Sequence, residues 1–232
     1  FGHHRQTYED TRRRVQWLSA AFVALGLAPG DAVAVLDTNS SRYLETYFAT
    51  SMLGGVFVPL NYRARADELA YMILTAGVRA LMVGDRYGAL ISGIRDRLVC
   101  VSQYVAMESP QPEMVLFEAL IAQSPGEASE AEVDEADINL LMYTSGTTGR
   151  PKGVMLTHGD FVTYVCGHTE LADGTPRGAA LLCVPLYHIA GITSMLTNVF
   201  TGRSLVILRQ FEAVEWLDTL QRERATHAFL VP

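Results

Sequence analysis

Short apolar runs alternate with longer amphipathic stretches from one end of the 232 residues to the other. A chain of this kind is committed to βα units. Neighbouring parallel strands need a crossover connection, and the amphipathic stretches are the helices that supply it. The expected fold is therefore α/β, with βα-repeat lobes, mostly parallel sheets and flanking helices. Thr7 followed by Asp10 resembles a capping box with Asp in place of Glu, and Val15, Leu18, Phe22 and Leu25 recur at helical spacing behind it. Residues 27–31 read as a turn, 32–36 as a buried strand, 42–53 as a helix, 56–60 as a strand and 66–76 as a helix. Strands are expected at 80–83 and 99–102, around a helix at 87–98.

The segment 124–137 interrupts this rhythm. It carries Glu127, Glu130, Glu132, Asp134, Glu135 and Asp137 with few large apolar residues, the composition of a solvated linker. It is expected to separate one α/β lobe at 1–123 from a second at 138–232. In the second lobe, strands are expected at 138–144, 154–157, 179–184, 204–208 and 227–231. Helices are expected at 158–171, 189–200 and 213–224. The last strand ends inside the alternation, and Phe1-Gly2-His3-His4 does not resemble a natural start, so the expectation is a piece of a longer protein.

Composition narrows the function classes. Hydrophobic residues make up 49% of the chain, which excludes a disordered protein and allows a sizeable core. The formal net charge is −7, with no block of Lys and Arg, which argues against broad nucleic-acid or anionic-membrane contact while leaving room for a local phosphate site. Cys100, Cys166 and Cys183 are far apart and form no C-x-x-C pair. They read as three buried thiols of a cytoplasmic protein rather than a zinc site or disulfide framework. No signal peptide and no membrane-spanning run is evident, and a homodimer is compatible with the sequence.

The chemistry concentrates in Tyr143-Thr-Ser-Gly-Thr-Thr-Gly-Arg-Pro-Lys-Gly153. Gly146, Gly149 and Gly153 permit close backbone approach to a ligand. Thr144, Ser145, Thr147 and Thr148 supply hydroxyls, Lys152 supplies charge, and successive N–H groups in such a bend can form an anion nest. The set suits a polyphosphate. Spacing excludes three alternatives. A Walker A loop fails because Pro stands at 151, no G-x-G-x-x-G follows a strand, and the nucleophile elbow fails because Tyr143 occupies the place of its first Gly.

The run YTSGTTGRPKGVMLTH at 143–158 closely resembles the signature of the adenylate-forming superfamily, which includes acyl-CoA synthetases, peptide-synthetase adenylation domains and firefly luciferase. Further segments match in the family's order. They are TYEDTRRRVQWLSAAFVALGLAPGDAVAVL, NSSRYLETYFATSMLGGVFVPLNYRARADELAYMI, VPLYHIAGI at 184–192 and THAFLVP at 226–232. The resemblance spans essentially the whole chain and looks more like fatty or aryl acyl-CoA ligases than peptide-synthetase domains.

The resemblance implies that a carboxylate attacks the α-phosphate of ATP to give an acyl adenylate, from which a thiol, usually CoA, displaces AMP. It assigns Thr144, Ser145, Gly146, Thr147, Thr148, Gly149 and Lys152 to the β- and γ-phosphates, with Mg²⁺ bridging phosphate oxygens. Tyr187, His188 and Gly191 would border the acyl and adenylate pocket. The apolar residues of 189–200 read as core packing, with one face available to an acyl tunnel, and His158, His168 and His227 read as structural. No metal ligands and no catalytic residue are assigned. The family's later Tyr-Gly-x-Thr-Glu and Tyr-x-Thr-Gly-Asp segments, its hinge and its lid with a catalytic Lys are not in these residues. The 232-residue piece is accordingly expected to be inactive or nearly so by itself. The competing expectations are a non-catalytic polyphosphate-binding or interaction module, and an adenylation domain serving another thiol acceptor.

Overall fold

The computed structural model describes residues 4–126, 130–144 and 150–230. They group into two compact units, one of Gln6–Asp37 with Glu45–His158 and the other of residues 4–5, 38–44 and 159–230.

The larger unit opens with α1 (Tyr8–Ala24), and the expected capping box is present: the Asp10 amide donates to Thr7 Oγ1 at 3.0 Å and the Thr7 amide donates to Asp10 Oδ2 at 3.1 Å. Val15, Leu18 and Phe22 are buried, while Leu25 becomes the C-cap. β1 (Ala32–Leu36), α2 (Ser41–Met52, of which residues 45–52 belong to this unit), β2 (Val56–Pro59), α3 (Ala66–Thr75) and β3 (Val78–Val83) follow. Next come α4 (Gly88–Ser92), β4 (Gln103–Ala106), β5 (Val115–Leu116), α5 (Phe117–Ala122), β6 (Ile138–Thr144) and β7 (Lys152–Thr157). The strands build one sheet in the order β5-β4-β3-β1-β2-β6-β7, parallel throughout except for the antiparallel β6–β7 pair. β1 lies centrally and all five of its residues are buried, which is why Ala-Val-Ala-Val-Leu is apolar at every position instead of alternating. Arg14 of α1 grips Glu45 of α2 through two hydrogen bonds, of 2.8 and 3.0 Å, and reaches Glu118 of α5 at 2.9 and 3.0 Å. Glu45 is fully buried, so this pairing is what makes its charge tolerable there.

Several boundaries differ from the sequence reading. The strand expected at 99–102 forms four residues later as β4, because Val99 is 86% exposed and the Val101 amide closes a turn onto Leu98 before the ladder starts. The helix expected at 87–98 is only α4 between two short 3-10 turns, and Gly88 and Gly93 in that segment weaken a continuous helix. β5 and α5 had no counterpart in the sequence reading.

The larger correction concerns residues 138–157, expected to open the second lobe. β6 instead pairs in parallel with β2, with Phe57 opposite Leu140, so β6 and β7, which flank residues 145–151, belong to the first sheet. The physical reason is a strand edge: β2 has β1 on one side only, and the apolar β6 completes its other side. The acidic stretch is solvated as expected at Glu130, Glu132, Asp134, Glu135 and Asp137. It does not divide two lobes, however. The Ala131 amide donates to Met52 O at 3.0 Å, and the segment feeds directly into β6.

The smaller unit holds α6 (His158–His168), all but its first residue, then β8 (Ala179–Leu182), α7 (Ile189–Phe200), β9 (Ser204–Ile207), α8 (Ala213–Arg222) and β10 (His227–Ala228). Its sheet is parallel, in the order β10-β8-β9. Leu181, Cys183 and Leu208 form a small core with Val206, Trp216 and Leu220. α8 starts where the Glu212 carboxylate accepts from the amides of Val214 at 3.2 Å and Glu215 at 2.8 Å. Of the cysteines expected to be buried, Cys183 is, Cys100 is half-buried and Cys166 is exposed on α6. Among the described residues no helix is long and apolar enough to cross a membrane.

Candidate functional site

In open α/β sheets, ligands collect beyond the carboxyl ends of the strands, where loops and backbone N–H groups converge. Thr144 is the last residue of β6, which runs parallel to β2 and so emerges at that edge of the larger sheet. Lys152, the first residue of β7, lies directly across the hairpin from Thr144, and Gly153 lies across from Tyr143. Both Thr144 and Lys152 are exposed. The hairpin base thus presents one hydroxyl and one ammonium side by side. Ser145, Gly146, Thr147, Thr148 and Gly149 lie outside the described residues.

The hairpin base is anchored on α3. The Tyr143 hydroxyl shares a hydrogen bond with Thr75 Oγ1 at 2.7 Å and donates to the Met72 carbonyl at 3.1 Å. Burial pushes the phenol pKa upward, opposed by the Thr75 bond, so Tyr143 stays a neutral donor. Arg150, on the far side of the loop, sets its guanidinium 5.6 Å from the Tyr71 ring centroid. Both ends of the loop therefore start from groups fastened to one helix.

The other end of the hairpin is pinned separately. The Tyr47 hydroxyl donates to Asn139 Oδ1 at 2.7 Å, and Asn139 Nδ2 donates to Ser51 Oγ at 2.7 Å and approaches His158 Nε2 at 3.4 Å. An amide N–H facing Nε2 requires an unprotonated nitrogen there. Burial pushes the His158 pKa below 6.5, against the opposing pull of Asp137, in agreement with that requirement. His168 Nδ1 lies 2.7 Å from Tyr164 O, and His227 Nδ1 lies 2.8 Å from Thr226 Oγ1. All three histidines thus have local partners. Among the described residues no group of three His, Cys, Asp or Glu could hold a metal ion.

The smaller unit carries the second candidate segment at the carboxyl end of β8. Pro185 to His188 form a turn closed by the His188 amide donating to Pro185 O at 3.0 Å. His188 then caps α7, its carbonyl accepting from Gly191 N at 2.9 Å and Ile192 N at 3.2 Å. Tyr187 is buried, His188 is exposed, and their ring centroids are 4.4 Å apart. Gly191 is required by space: a Cβ there would stand 2.3 Å from Pro185 O. Ile192 and Met195 of α7 are buried as core, in line with the packing role expected of that stripe, and Ile189 is exposed.

A residue given no role in the sequence reading holds this turn. Asn39 Nδ2 donates to Val184 O at 3.0 Å, and Asn39 Oδ1 accepts from Leu186 N at 2.9 Å. The only local signal nearby is Ser40, whose hydroxyl accepts from Tyr43 N at 3.1 Å as a helix cap. Asn39 itself makes contacts 145 and 147 residues away, which no local pattern reveals.

The family model described as AMP-binding enzyme matches residues 1–232. The chain belongs to the AMP-binding enzyme family. It is 32% identical over 229 residues to an indoleacetate–CoA ligase of Aromatoleum aromaticum, covering 97% of this chain and 44% of that protein. It is 34% identical over 232 residues to a feruloyl-CoA synthase of an Amycolatopsis species, covering 97% of this chain and 43% of the relative. Among solved structures it matches the inhibitor-bound N-terminal domain of FACL13 from Mycobacterium tuberculosis with a TM-score of 0.88 at 28% identity, covering 99% of this chain and 56% of that one. The chain thus spans less than half the length of these two curated relatives.

Proposed function

We propose that this chain is the nucleotide-gripping front part of an AMP-forming acid–thiol ligase, which activates a fatty or aryl carboxylic acid with ATP and passes the acyl group to CoA in the cytoplasm. The observation that carries the reading is the β6–β7 hairpin of a family member, with Thr144 and Lys152 facing each other at the carboxyl edge of a parallel sheet.

In the activating step a carboxylate attacks a polyphosphate, so both reactants are anions. The protein's task is to neutralise and align rather than to supply a nucleophile. The exposed Lys152 ammonium and Thr144 hydroxyl have the donor chemistry for the β- and γ-phosphate oxygens, and Ser145, Gly146, Thr147, Thr148 and Gly149 complete the same run in sequence. Holding those oxygens stabilises pyrophosphate as it leaves. Mg²⁺ is ordinarily carried by substrate phosphates with few protein ligands, which fits a site whose donors are hydroxyls and an ammonium. Bound there, it would neutralise phosphate charge. Tyr187, His188 and Gly191 border the acid: His188 is exposed and Gly191 keeps the turn close to α7.

The test is pyrophosphate release by the full-length protein across a panel of fatty and aryl acids. Release that depends on one acid class, followed by CoA-dependent release of AMP, is expected. ATP binding without release for any carboxylate would favour the non-catalytic polyphosphate module. Carboxylate-dependent ATP–pyrophosphate exchange by the 232-residue chain alone would remove the expectation that it needs the rest of the ligase.

A further inference from the structure

We infer that Asn39 is a positioning residue for the acid site: it sets the Val184–Leu186 backbone, and through it the Tyr187–His188 turn, from the carboxyl ends of β8 and β9. The inference rests on the proposed role of that turn in bordering the carboxylic acid.

Pro185 creates the need for such a residue. It has no N–H, so the backbone around it cannot continue a regular ladder past the end of β8. Val184 and Leu186 are nonetheless buried, at 5% and 1% exposure, and a buried backbone group left unpaired is costly. The Asn39 amide supplies one donor and one acceptor from a single rigid plane, and spends them on Val184 O and Leu186 N on either side of the proline. Asn39 is itself 1% exposed, so water does not compete for these bonds. Its own amide donates to Arg209 O at 3.2 Å, just past β9. One side chain and its backbone therefore tie together the segments that leave two parallel strands.

The consequence reaches His188 by a short route. Leu186 is fixed by Asn39, the His188 amide is fixed on Pro185 O, and Gly191 packs against the same carbonyl. A shift at Leu186 has no slack to absorb it before the Tyr187–His188 ring pair. Displacements of about 1 Å at a substrate-positioning group can cost on the order of a hundredfold in rate.

The experiment uses the full-length ligase, with KM measured separately for the carboxylic acid and for ATP, alongside melting temperature. Asn39→Ala is expected to raise the KM for the acid about tenfold or more while the KM for ATP stays within about twofold. Asn39→Asp keeps the acceptor for Leu186 N but turns a carboxylate toward Val184 O. Its acid-KM defect relative to wild type should shrink as pH falls and the carboxyl regains a proton to donate. This second variant decides the matter if Asn39→Ala does not fold. A parallel rise in both KM values, or a lowered melting temperature with both unchanged, would reduce Asn39 to a structural residue and overturn the inference. His188→Ala separates the two layers. If it raises the acid KM while the Asn39 variants do not, the inference alone falls. If it leaves the acid KM unchanged, the assignment of the turn to the acid site falls, and the inference with it.

Discussion

The hairpin at Thr144–Lys152 and the turn at Pro185–His188 both leave the carboxyl end of a parallel strand, yet they are held in opposite ways. The hairpin's strands are locked by their own register and by a helix earlier in the same unit, through Tyr143 with Thr75 and Met72 and through Arg150 over Tyr71. What it offers a ligand is carried by the side chains and glycines of one contiguous run. The turn offers little in its own sequence. Its shape comes from a distant amide, Asn39, and from a glycine that cannot accept a methyl group. A site for a polyphosphate can be written locally, because many weak donors in a row suffice. A turn whose own side chains offer few donors needs a backbone held from outside.

That contrast can be broken at its strongest point first. On the proposed reading, Lys152→Ala in the full-length protein should lower kcat/KM for ATP by about a hundredfold, the usual scale for losing one charge aimed at a developing anion, with the melting temperature unchanged. Unchanged ATP kinetics would count against the hairpin as the phosphate grip. Gly191→Ala should act on the other region. A Cβ 2.3 Å from Pro185 O forces the turn to move, at about 1–3 kcal/mol, and denaturant unfolding should show the loss together with a raised KM for the acid. A fully stable Gly191→Ala with ordinary acid kinetics would show that the turn is looser than its packing implies.

Smaller effects sharpen the same division. Tyr143→Phe removes a hydroxyl partnered by Thr75 and Met72, and should cost about 1 kcal/mol with a severalfold rise in KM for ATP and none for the acid. A change confined to the acid would reverse the roles of the two regions. The smallest effect concerns His158, whose folded-state pKa lies below its ordinary 6.5 because of burial. Below pH 6.5 the unfolded chain binds the proton first, so stability is full above that value and falls as the pH drops toward the folded-state pKa, then levels off. His158→Gln should flatten this part of the pH–stability curve, and a curve identical to wild type would mean that His158 does not titrate on unfolding.

The core elements were legible because their patterns are local. The five apolar residues of β1, the Thr7–Asp10 capping box and the periodic stripe of α7 carry their structure in a few consecutive residues. Less legible was the segment 85–106, where glycines fragment a helix and an exposed Val99 imitates a strand. Of the candidate residues, Thr144 and Lys152 face each other across the hairpin, His188 and Gly191 meet at Pro185 O, and Tyr187 lies against the His188 ring.

By itself, the amino-acid sequence determined the α/β class, most strands and helices, and the membership of the AMP-binding enzyme family. Tertiary structure alone decided two things. It assigned β6 and β7 to the first sheet, because strand pairing depends on which edge is open rather than on which residues are adjacent in the chain. It also brought Asn39 onto either side of Pro185, because a buried backbone gap is filled by whatever donor and acceptor the fold delivers there, at any separation in sequence.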